Sequence, residues 1–267
     1  MAEETEMSFL EHLEVLRWHI IRSVIALGIC TVAAFLGKSF IFDDVVLRLS
    51  KSDFITYRWF CKASHGLGMG DKLCFGDINF KLININMSGQ FMTHIMVSVV
   101  SGIIIAFPYI LYEIWRFVKP ALTSGEKNSA RGVVFSGSVL FMLGITFGYV
   151  MIAPLSVQFL GNYTVSELIQ NQISLNSYIT TVATIVLACG LVFQLPLMVY
   201  FLTRMGILTP QFMKAYRRHA VVVTLILSAI ITPPDISSQI LVAIPILLLY
   251  EVSIYISKMV VRKMDEE

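Results

Sequence analysis

The chain has 267 residues, of which 56% are hydrophobic and only 14% are charged, and its mean hydropathy is +0.75. A soluble domain carries about 25% charged residues, whereas residues 132–203 contain no Lys or Arg and a single acid, Glu167. This composition excludes a soluble enzyme, a nucleic-acid-binding protein and a disordered protein. It indicates a polytopic membrane protein, because apolar stretches of this length match the hydrocarbon core of a bilayer.

The N-terminal segment predicts an amphipathic helix over 8–20. Residues 8–11 read S-F-L-E, a capping box in which the Ser and Glu side chains satisfy free backbone N–H groups. Apolar residues then recur at helical spacing along one stripe, at Phe9, Leu13, Leu16 and Ile20. We expect this helix to lie at the cytoplasmic interface. The acidic start lacks the basic region of a cleavable signal peptide.

Six apolar segments predict an all-α membrane protein with six transmembrane helices in one domain, residues 1–267. The predicted spans are 23–40, 91–115, 132–153, 177–203, 219–232 and 236–257, with a long outer loop over 41–90. Crossing ~30 Å of hydrocarbon takes ~20 helical residues. The uncharged runs of the last two segments have 15 residues each, so these two helices are predicted to be short.

The distribution of Lys and Arg predicts the orientation. With six spans, both termini and the loops after spans two and four share one side, which holds thirteen of the twenty basic residues. The other seven lie over residues 38–81, in the first outer loop and just before it; this loop is long and therefore constrains the orientation weakly, and the two later outer loops have none. Both termini are predicted to be cytoplasmic.

No catalytic or metal-binding motif is present, so we expect no enzymatic activity, cofactor or metal. Glu126 is the one acid of a cationic loop, where an exposed ion pair would contribute only about 0–1 kcal/mol. Gln194 precedes Pro196 near the middle of span four. Its side chain either forms a hydrogen bond with the local backbone or a neighbouring helix, or makes a functional contact, and the two alternatives have about even weight.

Two further features lie outside the spans. The turn T-P-P-D-I-S-S-Q joins the last two spans as an ordinary tight turn, in which Asp235 or a following Ser can cap the next helix, and it places Thr232 and Gln239 at the membrane edge. Cys61 and Cys74 share the first outer loop, where a disulfide and two free thiols are equally compatible with the spacing.

Three separated motifs resemble the TatC family, the multi-spanning core subunit of the twin-arginine protein translocase of the bacterial inner membrane. They are H-L-E-V-L-R near the N-terminus, F-P-Y-I-L-Y-E-I-W-R-F-V-K-P-A-L-T-S-G-E-K after span two, and T-P-P-D-I-S-S-Q. The resemblance covers residues 8–260, and only the first outer loop is longer than usual. It implies a receptor for twin-arginine signal peptides that exports folded proteins, driven by the proton-motive force. The implied partners are TatA-type and TatB-type single-span subunits, the lipid bilayer and further copies of the chain, but no nucleic acid.

The resemblance also assigns residues. It implies that Glu126 binds the signal peptide, with Arg17 and Phe117 in the matching motifs. Position 15, usually a glutamate, is Val15 here, so Glu14 or Glu11 would supply that carboxylate.

Many family members have an intramembrane glutamate where this chain has Gln194. The short last two spans, with Thr232, Asp235 and Gln239, are predicted to dock a TatA-type or TatB-type helix. A small secondary transporter is the alternative, but it would favour inverted repeats and a charged or broken-helix site at the midplane.

Overall fold

The computed structural model describes residues 9–51, 54–66, 81–118, 130–166, 171–232 and 236–266. Its helices and strands, in chain order, are α1 (Phe9–Leu36), α2 (Ile55–Gly66), β1 (Lys81–Ile83), α3 (Gly89–Val118), α4 (Ala130–Phe147), α5 (Ala153–Asn162), β2 (Gln172–Ser174), α6 (Leu175–Val192), α7 (Leu195–Arg204), α8 (Pro210–Ala215), α9 (Arg217–Ile231) and α10 (Ile236–Glu266). Two compact units result, one of residues 1–37 and 98–139 and one of residues 38–97 and 140–267.

In the first unit, α1 is a single helix of 28 residues. The helix predicted over 8–20 is thus continuous with span one, and its position at the cytoplasmic interface stays a prediction. The segment before Gly28 contains no Gly or Pro that would interrupt the backbone hydrogen bonds between an interfacial part and a span. Helix α3 approaches α1 closely at Gly102, where an added Cβ would lie 2.9 Å from the Cα of Thr31.

The second unit begins with the first outer loop, of which residues 41–51, 54–66 and 81–90 are described. A π-helical turn over Phe40–Val46 and a 3-10 turn over Leu47–Ser50 lead to α2. Strands β1 and β2 then pair in parallel, with Lys81 opposite Gln172 and Ile83 opposite Ser174. The described chain is mostly helical, as predicted, with this small two-stranded sheet in addition; the sheet joins two segments far apart in sequence and leaves no local signal.

Helices α4 and α5 form one helical stretch through a π-helical turn at Gly148–Ile152, so span three continues past its predicted end at 153. Pro154 has no N–H to donate to the carbonyl four residues earlier. That carbonyl, of Val150, instead accepts the Thr56 hydroxyl of α2. The Tyr57 hydroxyl donates to the carbonyl of Pro154 at 3.0 Å, so α2 satisfies the backbone at this break.

Spans three and four pack through glycines. Gly144 and Gly148 are one turn apart, and a Cβ at Gly144 would lie 2.6 Å from the carbonyl oxygen of Cys189 and 2.9 Å from the Cα of Gly190 on α6. Small residues at this spacing let transmembrane helices approach with their backbones almost in contact. Span four is interrupted between α6 and α7, where Gln194 and Pro196 begin the second half.

Helix α10 packs against both α7 and α9. The Thr203 hydroxyl donates to the Ser257 hydroxyl at 2.9 Å, and the Tyr250 hydroxyl donates to the carbonyl of Met213 at 2.9 Å. Helix α9, with 15 residues, is short as predicted, whereas α10 has 31 residues. The prediction of a short last helix is wrong because its charged residues beyond Tyr250 continue the helix.

Five described helical stretches are long and apolar enough to cross a membrane: Leu13–Leu36, Gly89–Val118, Gly132–Asn162, Leu175–Arg204 and Gln239–Met264. Helix α9, about 22 Å long at 1.5 Å per residue, is shorter than the ~30 Å core. The multi-pass membrane architecture is therefore clear, and the count of six spans depends on α9.

Candidate functional site

A polar cluster lies in the first unit, near the N-terminal half of α1 and the C-terminal end of α3. Glu113 is only 1% exposed, and its carboxylate lies 2.5 Å from the Nδ1 of His19 on α1. The other carboxylate oxygen lies 3.5 Å from the Arg116 guanidinium, one turn further along α3. A buried carboxylate needs such partners, because an unpaired charge in an apolar environment is costly.

Aromatic rings surround this cluster. The Arg116 guanidinium lies 5.8 Å from the centre of the Tyr112 ring, a cation–π arrangement. The Phe117 ring meets the His19 imidazole edge-on, with 6.2 Å between ring centres. Phe117, which the family resemblance singles out, is therefore part of the same surface as the His19–Glu113 pair.

The predicted signal-peptide residues fall partly on described segments. Glu14 and Arg17 are exposed on α1, and Val15 is 36% exposed on the same helix. Glu11 belongs to α1, but its side chain lies outside the description, and Glu126 lies outside the described residues. Helix α1 therefore carries an exposed acid, an exposed base and His19 within two turns.

Glu113 is a residue that sequence reasoning missed. It follows the uncharged run of span two and lies in the motif F-P-Y-I-L-Y-E-I-W-R, but it was assigned no function from the sequence. The signal that could have found it is its helical spacing to Arg116, since acids and bases three residues apart on a helix lie on one face.

Gln194 occupies the break of span four and is half-buried. Its backbone N–H donates to the carbonyl of Leu191 and its own carbonyl accepts from Met198, both at 3.0 Å. This places Gln194 at the point where the helix changes from α6 to α7.

The α9–α10 hairpin gives two of its polar residues partners within the chain. The Thr232 hydroxyl donates to the carbonyl of Ser228 at 2.8 Å, and the Gln239 amide donates to the carbonyl of Leu225 at 3.2 Å. At the other end of the hairpin, Arg217 and Glu251 form a half-exposed ion pair at 2.6 Å. Asp235 lies outside the described residues.

Cys61, on α2, takes part in a disulfide, and Cys30 and Cys189 are free thiols. Cys74 lies outside the described residues, so its pairing with Cys61 stays a prediction. Within the described ranges, no three His, Cys, Asp or Glu side chains are placed to hold a metal ion.

These observations define a class: a multi-pass helical membrane protein whose polar groups cluster at helix ends. The model of the family Sec-independent protein translocase protein (TatC) matches residues 11–245. The TatC protein of Blattabacterium sp. subsp. Periplaneta americana is 39% identical over 266 residues, covering 98% of both chains. That of Aquifex aeolicus is 33% identical and covers 97% of this chain and 98% of its own.

Two crystal structures of a twin-arginine translocase receptor, TatC, are also similar. One has a TM-score of 0.69 at 32% identity and covers 94% of this chain and 100% of its own. The other, determined in DDM, has a TM-score of 0.72 at 33% identity, with coverage of 92% and 99%. The chain belongs to the TatC family of Sec-independent protein translocase proteins, and its role is in protein transport as a component of the translocase.

Proposed function

We propose that this chain is the receptor and core subunit of a twin-arginine translocase, binding twin-arginine signal peptides and exporting folded proteins with the proton-motive force. The observation that carries the proposal is the likeness, over 94% of the chain, to a solved structure described as a twin-arginine translocase receptor. We place the chain in the bacterial inner membrane, with six spans, both termini cytoplasmic and several copies in the receptor complex. The distribution of Lys and Arg supports this orientation.

The proposed peptide site uses carboxylates to hold two guanidinium groups. Arg presents a planar fork of N–H donors that fits a carboxylate better than the point charge of Lys does. Glu126 supplies one acid and Glu14, exposed on α1, supplies the other in place of the usual glutamate at Val15. Exposure of Glu14 supports this choice, because a peptide can reach it without displacing packed side chains.

Glu126→Gln should weaken cross-linking of a twin-arginine peptide about tenfold, because it removes one charge-assisted hydrogen-bonded pair. The measurement uses full-length protein in membranes and a photo-reactive peptide. Glu167→Gln, which removes the same charge from the predicted outer side, is the matched control. A peptide with two Lys in place of the two Arg should bind wild-type protein as weakly as the variant binds the original peptide. Unchanged cross-linking by Glu126→Gln would overturn the assignment of this residue.

The two candidate acids of α1 are separated in the same assay. Glu14→Gln should reduce cross-linking and Glu11→Gln should not. The opposite result would move the second carboxylate to Glu11. Export of a twin-arginine reporter in a strain deleted for its own TatC tests the whole function, and a chain that inserts but exports nothing would contradict it.

We also propose that α9 and α10 dock a single-span TatA-type or TatB-type helix. Helix α9 is shorter than the hydrocarbon core, and such a mismatch is relieved by local thinning or by a partner. Much of the hairpin is apolar and exposed, including Ile226, Ile230, Ile244 and Leu248. Thr232 is 5% exposed and its hydroxyl already donates to the carbonyl of Ser228. The side-chain oxygen of Gln239 would therefore make the polar contact with the partner helix.

Cysteine cross-linking tests this docking face. With Cys30 and Cys189 replaced by Ala, a cysteine at Ile226 or Ile244 should form a disulfide with one placed on the partner helix. Leu143, which is 56% exposed on α4, is the matched control position. If disulfides form from Leu143 and not from the hairpin, the partner docks on span three instead.

A further inference from the structure

We infer that the second unit holds a binding site for the phosphate headgroup of an anionic phospholipid, in a cavity between α2, the π-helical turn before it and span three. The cavity has a volume of about 680 Å³. Its described lining carries three cationic side chains, Arg48, Arg58 and Lys62, against one carboxylate, Asp44. This charge balance favours an anionic ligand.

Two of the three cations, Arg58 and Lys62, lie on α2, which hydrogen bonds join to span three, and Arg48 lies on the 3-10 turn before it. The buried face of α2 carries Thr56 and Tyr57, whose hydroxyls bind the carbonyls of Val150 and Pro154 in span three. Burial raises the pKa of Tyr57, which therefore remains a hydrogen-bond donor at neutral pH. Arg58 and Lys62, one turn apart on the exposed side of α2, are consequently presented from a fixed position.

The cavity also lies at the level of a membrane interface. Tyr149 and Val150, which line it, belong to the candidate span Gly132–Asn162. Tyr149 is about 25 Å from Gly132 along the helix, and the hydrocarbon core is ~30 Å thick. Phosphate groups of lipids lie at this depth, and Tyr and Trp are enriched there.

Apolar side chains at the cavity complete the match to a lipid. Phe40, Ile55 and Trp59 line it and are 65%, 55% and 71% exposed. A free phosphate ion would gain nothing from them, whereas a phospholipid can lay an acyl chain on these side chains while the cations hold its phosphate. An amphipathic helix with cations beside Trp is typical of the interface of anionic membranes.

Native mass spectrometry of the full chain in detergent tests the site. Wild-type protein should retain phosphatidylglycerol about tenfold more tightly than phosphatidylcholine. The triple variant R48Q/R58Q/K62Q should lose that preference, because two or three charge-assisted contacts to the phosphate are removed. The control K38Q/K51Q/K81Q removes the same charge from the same loop region at positions that do not line the cavity, and it should keep the preference.

Equal loss of phosphatidylglycerol in the two triple variants would overturn the proposal, since it would show only unspecific attraction. Displacement of the lipid by millimolar inorganic phosphate would assign the cavity to a free anion instead. If the triple variant does not fold, Lys62→Glu should still lower retention and Lys51→Glu should not. The assay contains no cargo and no partner subunit, so its outcome is independent of the receptor function proposed above.

Discussion

Gly144→Ile should destabilise the protein by about 3 kcal/mol, enough to lower the yield of folded chain in the membrane. The added Cβ would lie 2.6 Å from the carbonyl oxygen of Cys189 and 2.8 Å from the Cβ of Phe193. A backbone carbonyl cannot rotate away as a flexible side chain can, so α4 and α6 would have to separate. Separation loses the close packing that holds transmembrane helices together. Unfolding of purified protein by a denaturing detergent, followed by tryptophan fluorescence, measures the change.

Gly28→Ala is the matched control, since a Cβ at Gly28 would meet nothing within 4 Å. It should leave stability unchanged or raise it by up to about 1 kcal/mol, because Ala favours helix over Gly. Gly144→Ala should fall between the two. If Gly144→Ile and Gly28→Ala unfold alike, the close contact of spans three and four does not contribute to stability.

The sequence predicted the apolar segments well because a span needs only length and apolarity. The ends of helices were harder to predict where residues distant in sequence form the hydrogen bonds that the backbone lacks. Span three was expected to end at 153, just before Pro154, but Thr56, nearly a hundred residues earlier, supplies the donor for the carbonyl that Pro154 leaves free. The pairing of β1 with β2 likewise joins segments that are far apart in sequence. Composition and spacing describe one segment by itself, whereas such contacts depend on which distant segments the tertiary fold brings together.

Some residues of the candidate site were predicted from the sequence and others were not. Glu14 and Arg17 were found from a motif, and they are exposed on α1. Glu113 was overlooked because an acid at the end of an apolar run is expected to be exposed at the interface, whereas the fold places it against His19. The glycine pair of span three has a recognisable spacing, Gly-x-x-x-Gly, but the partner Gly190 is visible only in the folded chain.

Glu113→Leu should cost about 3 kcal/mol of stability in the same unfolding assay. The substitution keeps an apolar volume at position 113 but leaves the His19 imidazole, 11% exposed, without its carboxylate. It also removes the acid that faces Arg116. Glu14→Leu removes an equal charge from an exposed position of α1 and should change stability by less than about 0.5 kcal/mol.

A double-mutant cycle separates the pair from its individual members. His19→Leu alone deprives the buried Glu113 carboxylate of its closest partner and leaves it facing Arg116 at 3.5 Å and the Tyr109 hydroxyl, so it should also be destabilising. The double variant His19→Leu with Glu113→Leu replaces both partners by apolar groups, which removes the cost of an unpaired buried group. We therefore expect the double variant to be more stable than the sum of the single changes by about 2 kcal/mol. Strict additivity would mean that the 2.5 Å contact between His19 and Glu113 does not join α1 and α3 energetically.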